Sequence, residues 1–144
     1  MKTEPFVIER TFNVPIEKVW KALTDTDQIK QWSFDVKGFK PEVGCEFSFE
    51  GGKADAVYVH LSKVTELIPG KKLTYSWRYQ GYEGNSFVSF ELFAEGDKTR
   101  LKLTHTGLET FPQSNGDFAR ENFAKGWTHI IGTSLKNFIE EDHV

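Results

Sequence analysis

The most constraining feature of this 144-residue chain is a single long helical pattern near its end. Phe123, Trp127, Ile130, Ile131, Ser134 and Phe138 recur at spacings of three and four, which places them on one helix face. The spacing predicts a helix over about residues 116–141, about 39 Å long at 1.5 Å per residue. Ser114 or Asn115 is its expected N-cap, after a break at Pro112–Gly116. Gly126 and Gly132 lie inside it, each costing roughly 1 kcal/mol relative to Ala, and are read as points of close approach to the sheet. Glu140, Glu141 and Asp142 oppose the helix dipole, so the C-terminal end is expected to fray. One long helix must therefore cover the apolar face of everything that precedes it.

What precedes it is mostly strand. Phe6–Phe12 reads as a first strand. Pro15 then opens a short helix whose apolar face is Ile16, Val19, Trp20 and Leu23. Asp25, with Gln28 three residues on, resembles a capping box for a second short helix ending near Trp32. Phe47 and Phe49 alternate toward one face, and Gly51–Gly52 reads as a turn. Val57, Val59 and Leu61 alternate with Tyr58, His60 and Ser62, which predicts the apolar set inside and His60 outside. Ile68–Lys71 is a turn built on Pro69 and Gly70. Leu73, Tyr75, Trp77 and Tyr79 share the inner face of the next strand. After a loop at 81–85, Val88, Phe90 and Leu92 face inward, and Leu101, Leu103 and His105 continue the pattern past a turn at 95–98. The fold class is thus α+β. A curved antiparallel sheet of about six or seven strands must curl around the C-terminal helix, and a cavity can remain where the helix does not fill the curl.

Composition and charge exclude other classes. The length fits one domain over residues 1–144, and surface scaling buries roughly 68% of an extended chain of this mass. Thirteen Phe, four Trp and four Tyr are inconsistent with a disordered or fibrous chain. The 18 basic and 21 acidic residues form no basic stripe, because Lys71–Lys72 and Lys98/Arg100/Lys102 read as solvated turn and strand positions. No nucleic-acid partner is expected. Cys45 is alone, so neither an internal disulfide nor a four-thiolate metal site forms. The N-terminal residues carry Glu4 and Glu9 without an apolar run, unlike a secretory leader. No stretch approaches the ~20 apolar residues of a membrane span. The expectation is a cytoplasmic protein, a monomer or weak dimer, without membrane insertion.

The stretch Ile8–Pro15, then Val19–Asp25 and Trp32, resembles the N-terminal signature of the AHSA-type family, named after an activator of heat-shock-chaperone ATPase, within the START-like (SRPBCC) superfamily. Leu73–Trp77 is similar to the family's central strand, and Leu103–Leu108 and Gly126–Trp127 to its end. The resemblance covers about residues 5–140 and implies a helix-grip fold, in which a curved sheet grips the last helix around a cavity. Related folds bind lipids, hormones or polyketides, and some are cyclases or dehydratases. The named co-chaperone role belongs to longer proteins with a further chaperone-binding domain, so the family implies only a chaperone or stress-associated contact here.

No nucleotide-, zinc-protease- or hydrolase-type motif is present. His60, His105, His129 and His143 are scattered, so neither a metal nor another cofactor is expected. His105 follows the inward Leu101 and Leu103. It is either a ligand-facing acid–base group, given its ordinary pKa near 6.5, or a core histidine satisfied by its neighbours. Tyr75, Trp77 and Tyr79 supply either pocket walls with polar tips or plain packing against Phe123 and Trp127. Trp32 is read equally as core or as cavity mouth. No pair of acids shares an inner face, and Cys45 is expected to be structural. The candidate lining is therefore Trp32, Phe47, Tyr75, Trp77, Tyr79, Phe90, His105, Phe123, Trp127 and Ile131, with no catalytic residue assigned. The expected function is binding of a small, largely apolar ligand, lipid-like or aromatic. The alternatives are a polyketide cyclase/dehydratase-like enzyme using His105 with Tyr75 or Tyr79, and an interaction module.

Overall fold

A computed structural model describes residues 5–33, 36–53, 56–112 and 120–140 of the chain. Strand β1 (Phe6–Phe12) alternates buried Phe6, Ile8 and Phe12 with exposed neighbours. Pro15, in an extended conformation, caps helix α1 (Ile16–Thr24), which buries Val19, Ala22 and Leu23. Asp25 caps helix α2 (Thr26–Trp32) by accepting the Asp27 N–H at 2.9 Å. The expected box is not closed, because the Asp25 N–H donates to the Lys21 carbonyl at the end of α1. One aspartate thus serves both helices.

Five strands follow: β2 (Glu46–Lys53), β3 (Ala56–Ile68), β4 (Lys72–Tyr79), β5 (Ser86–Glu95) and β6 (Lys98–Thr106). They form one curved antiparallel sheet in the order β1-β6-β5-β4-β3-β2. A single bridge from Lys37 to Ser48 extends its β2 edge. After a 3-10 turn (Leu108–Thr110), the C-terminal helix runs as α3 (Arg120–His129), a π segment (Ile130–Leu135) and α4 (Lys136–Glu140). Its expected first turn and N-cap at 114–119, and the frayed end beyond 140, lie outside the described residues.

Two strand readings need correction. Gly51–Gly52 is not a turn, because the β2–β3 ladder continues to Lys53 opposite Ala56. In β3 the inward set is His60, Ser62 and Val64, while Val57 is 61% exposed. Pairing decides this phase. His60 lies opposite Phe49 and Tyr79, Ser62 opposite Phe47, and Val64 opposite Tyr75. Those neighbours are inward aromatics, and a one-residue slip would turn all of β3 over.

The helix also departs from a plain α pattern. Its buried residues are Phe123, Trp127, Ile131, Leu135 and Ile139, one every four. In an α-helix four residues overshoot a full turn by about 40°. The wider π segment absorbs that drift and keeps one stripe on the sheet. Ile130, Ser134 and Phe138 consequently sit at its flank, half-buried. Gly126 is not a close approach, since a Cβ there would meet nothing within 4 Å, and at Gly132 only the Arg10 side chain comes near, at 3.5 Å. Glu140 is anchored, accepting the Asn13 N–H at 2.9 Å and the Lys136 ammonium at 2.6 Å. Trp127→Ala should cost about 3–5 kcal/mol, read as a lower urea midpoint with an unchanged slope.

Candidate functional site

A cavity of about 30 Å³ remains where α2, the segment after it and the sheet meet the helix. That is about one water's share of liquid volume, against the roughly 300–1,000 Å³ of small-molecule sites. Leu23, Ile29 and Trp32 border it from the helices, and Ser33, Val36 and Phe39 from the connection. Phe47, Phe49, Leu73, Tyr75 and Phe90 border it from the sheet, and Trp127 closes it from the helix.

Aromatic rings pack around it. Phe47 meets Phe39 and Tyr75 edge-on at 5.0 and 5.1 Å, and Phe90 meets Trp127 edge-on at 6.1 Å. The Trp32 indole N–H is spent on the Ala22 carbonyl at 2.8 Å, which pins α2 to α1. Tyr75 is the one titratable group on this wall, and burial pushes its phenol far above the ordinary value of 10. Neither the Tyr75 nor the Ser33 hydroxyl bonds a described residue.

Trp32, Phe47, Tyr75, Phe90 and Trp127 therefore come together at the cavity. Trp77, Tyr79, His105, Phe123 and Ile131 do not border it; they pack beside it. Trp77 donates its indole N–H to the Tyr79 hydroxyl at 2.9 Å. Phe123 stands edge-on to His105 at 5.2 Å and stacks on Phe111 at 6.0 Å. Ile131 is fully buried.

His105 is sealed. Its residue exposure is 0%, and Trp77, Phe123 and Trp127 surround its ring. Trp127 donates its indole N–H to Nδ1 at 3.0 Å. An indole can only donate, so Nδ1 is bare and Nε2 carries the proton. Nε2 donates to Ser86 Oγ at 2.8 Å, and that hydroxyl donates to the Trp77 carbonyl at 2.7 Å. Every proton in this chain is committed, and burial lowers the imidazole pKa to about 3. His105 holds the helix to the sheet and is not placed to exchange a proton with a substrate. Ser86 shares the inward phase of Val88 and Phe90, which was the available signal for it.

His60 is the other reversal. It is 5% exposed, stacked on Phe49 at 4.4 Å, and donates Nδ1–H to the Tyr58 carbonyl at 3.1 Å. Burial lowers its pKa to about 4, with backbone hydrogen bonds opposing in part. Cys45 is structural: its thiol donates to the Gly38 carbonyl and accepts the Lys40 N–H, both at 3.2 Å. Leu23, Ile29, Ser33, Val36 and Phe39 had no place in the sequence-derived lining because spacing cannot show which helix or loop folds over a sheet, while Phe49 and Leu73 were read as inward but not as lining.

The family model described as "Activator of Hsp90 ATPase homolog 1-like protein" matches residues 13–140. The chain belongs to this family. It is 26% identical over 132 residues to the Hsp90 co-chaperone AHA1 of Saccharomyces cerevisiae, covering 86% of this chain and 35% of that protein. The chain thus spans about a third of that relative. A crystal structure of a Mesorhizobium loti protein superposes with TM-score 0.78 at 26% identity, covering 98% of this chain and all of the other. CalU16 from Micromonospora echinospora superposes with TM-score 0.72 at 26% identity, over 95% of this chain and 76% of its own. The AHSA-type chain therefore has the START-like helix grip, the scaffold of a ligand-binding domain family. No described helix is long and apolar enough to cross a membrane.

The two buried imidazoles set a pH dependence. Both titrate lower in the folded than in the unfolded chain, whose value is near 6.5. Below that, the unfolded state binds protons the folded state refuses. Stability from this source is full above pH 6.5 and falls with decreasing pH, by roughly 2–3 kcal/mol per histidine at about pH 4.5. Urea unfolding at both pH values measures the fall. The His105 ring protons should show no NMR titration between about pH 5 and 8.

Proposed function

We propose that this AHSA-type protein binds a small, largely apolar molecule, lipid-like or aromatic, between α2, the sheet and the C-terminal helix, without transforming it. The observation that supports this most directly is the aromatic-walled cavity with two hydroxyls, on Tyr75 and Ser33, that no described residue engages. An apolar wall with a few polar tips is the usual make-up of such a site. Trp32, Phe47, Tyr75, Phe90 and Trp127 would touch the guest, and Trp77, Tyr79, His105, Phe123 and Ile131 would hold those walls. At about 30 Å³ the space must widen to admit it. Val36 and Phe39 stand on the connection rather than in the sheet, so they are the side that yields. The sealed His105 removes the acid–base pair a cyclase-like reaction would need. Native mass spectra should carry a co-purified mass, and fatty-acid or aromatic probes should bind with roughly micromolar affinity and raise Tm. Val36→Trp, which fills the space from its rim, should abolish both effects. Blank spectra and a blank probe panel would refute the reading.

The Saccharomyces cerevisiae relative supports a second reading, a chaperone contact. Exposed large apolar residues, among them Val7, Val43, Ile68 and Phe87, lie on different parts of the chain. Titration against Hsp90 with an ATPase readout tests it: stimulation supports the contact, and absence of binding rejects it.

A further inference from the structure

The wall of the interior cavity is short of charge as well as of space. Among the described residues, no Lys, Arg, Asp, Glu or His borders it. The two imidazoles that pack on its rings, His60 on Phe49 and His105 on Trp127, are held neutral by burial. An ionised group enclosed here would lose its hydration and meet no counter-charge. Nor do the rings form an open cage for a cation. Phe47 stands edge-on to Phe39 and Tyr75, Phe49 to Trp77, and Phe90 to Trp127, so one ring's edge already covers another's face.

What the wall does hold is unspent hydroxyl. Tyr75 borders the cavity, and its phenol has no hydrogen-bond partner among the described residues. A second hydroxyl lies on the same inner face. Ser62 is only 5% exposed, and its Oγ is buried with no partner among the described residues. Ser62 lies opposite Phe47, and Val64, the next inward residue of β3, lies opposite Tyr75. Ser62 and Tyr75 are therefore diagonal neighbours on that face. The Phe47 ring serves both positions, since it also meets Tyr75 edge-on at 5.1 Å. An unpaired buried hydroxyl is costly, and packing among aromatic rings does not require one.

We propose that the guest of this cavity is a compact, uncharged molecule with a carbonyl-type acceptor at one end, and that the Tyr75 and Ser62 hydroxyls set this preference. The proposal rests on the reading above that the cavity takes an apolar guest, and narrows it to guests whose enclosed part carries no charge. Tyr75 donates first, because it already borders the space. Ser62 follows as the cavity widens. Phe39, on the connection, braces the Phe47 ring edge-on at 5.0 Å. When Phe39 yields, Phe47 loses that brace and the hydroxyl opposite it comes within reach of the guest. A long-chain acid can still enter tail first, with its carboxylate left in water at the mouth.

Four benzene-sized probes test this: methyl benzoate, benzoate, benzylammonium and propylbenzene. Each is titrated into the full chain at about pH 7, where a carboxyl group is ionised and an amine protonated. The indole N–H shifts of Trp32 and Trp127 report binding. The ester should bind at least about thirtyfold more tightly than either ion. In the Tyr75→Phe/Ser62→Ala double variant, the ratio of ester to propylbenzene affinity should fall by about tenfold, with Tm retained or raised. Hydroxyls with a merely structural role would leave that ratio unchanged. An unchanged ratio, or an ion that binds as tightly as the ester, would overturn the proposal and leave the apolar-guest reading in place. Silence of all four probes would overturn both.

Discussion

The hydrogen bond from the Trp127 indole to His105 Nδ1 is the contact on which the rest of the molecule depends. It joins the middle of the C-terminal helix to strand β6, next to the β1 edge of the sheet. It also fixes the imidazole tautomer, and through Ser86 it reaches the backbone of β4 at Trp77. Buried polar groups are tolerable only when fully satisfied, and here each member satisfies the next. The helix rotation, the burial of the β4 and β6 inner faces and the neutrality of His105 are therefore one constraint. The π segment belongs to the same constraint, because it lets a stripe of every-fourth residues stay in line with that anchor.

The aromatic interior and the polar outer face divide the molecule chemically. Inside, ring packing among the described residues leaves a water-sized cavity beside α2. Outside, polar side chains of β2, β3 and β4 surround an open concavity of about 430 Å³. The β4 residues at that outer concavity, Ser76 and Arg78, alternate with those that face the core.

Much of the architecture was legible from periodicity. β1, the two short helices, the inward sets of β4, β5 and β6 and the terminal helix all follow from local spacing, and Phe47, Tyr75, Phe90 and Trp127 reach the cavity from those elements. Legibility failed where a neighbour overruled the local pattern. His60 is buried because Phe49, Trp77 and Tyr79 claim its strand face, although its flanking residues are apolar. Gly51–Gly52 stay in the ladder because β3 pairs them. Val36 and Phe39 come from a connection without periodicity, so no pattern marked them as cavity wall.

The amino-acid sequence by itself determined the element order, the family and the necessity of a sheet curled on one helix, because these rest on spacing and apolar count along the chain. Tertiary structure alone decided that rings crowd the cavity beside α2, that His105 is a satisfied tie rather than an acid–base group, and that the β3 phase runs opposite to its apolar pattern. Each of these depends on which side chains from distant strands meet. Packing density and hydrogen-bond satisfaction are properties of that meeting, not of any one segment.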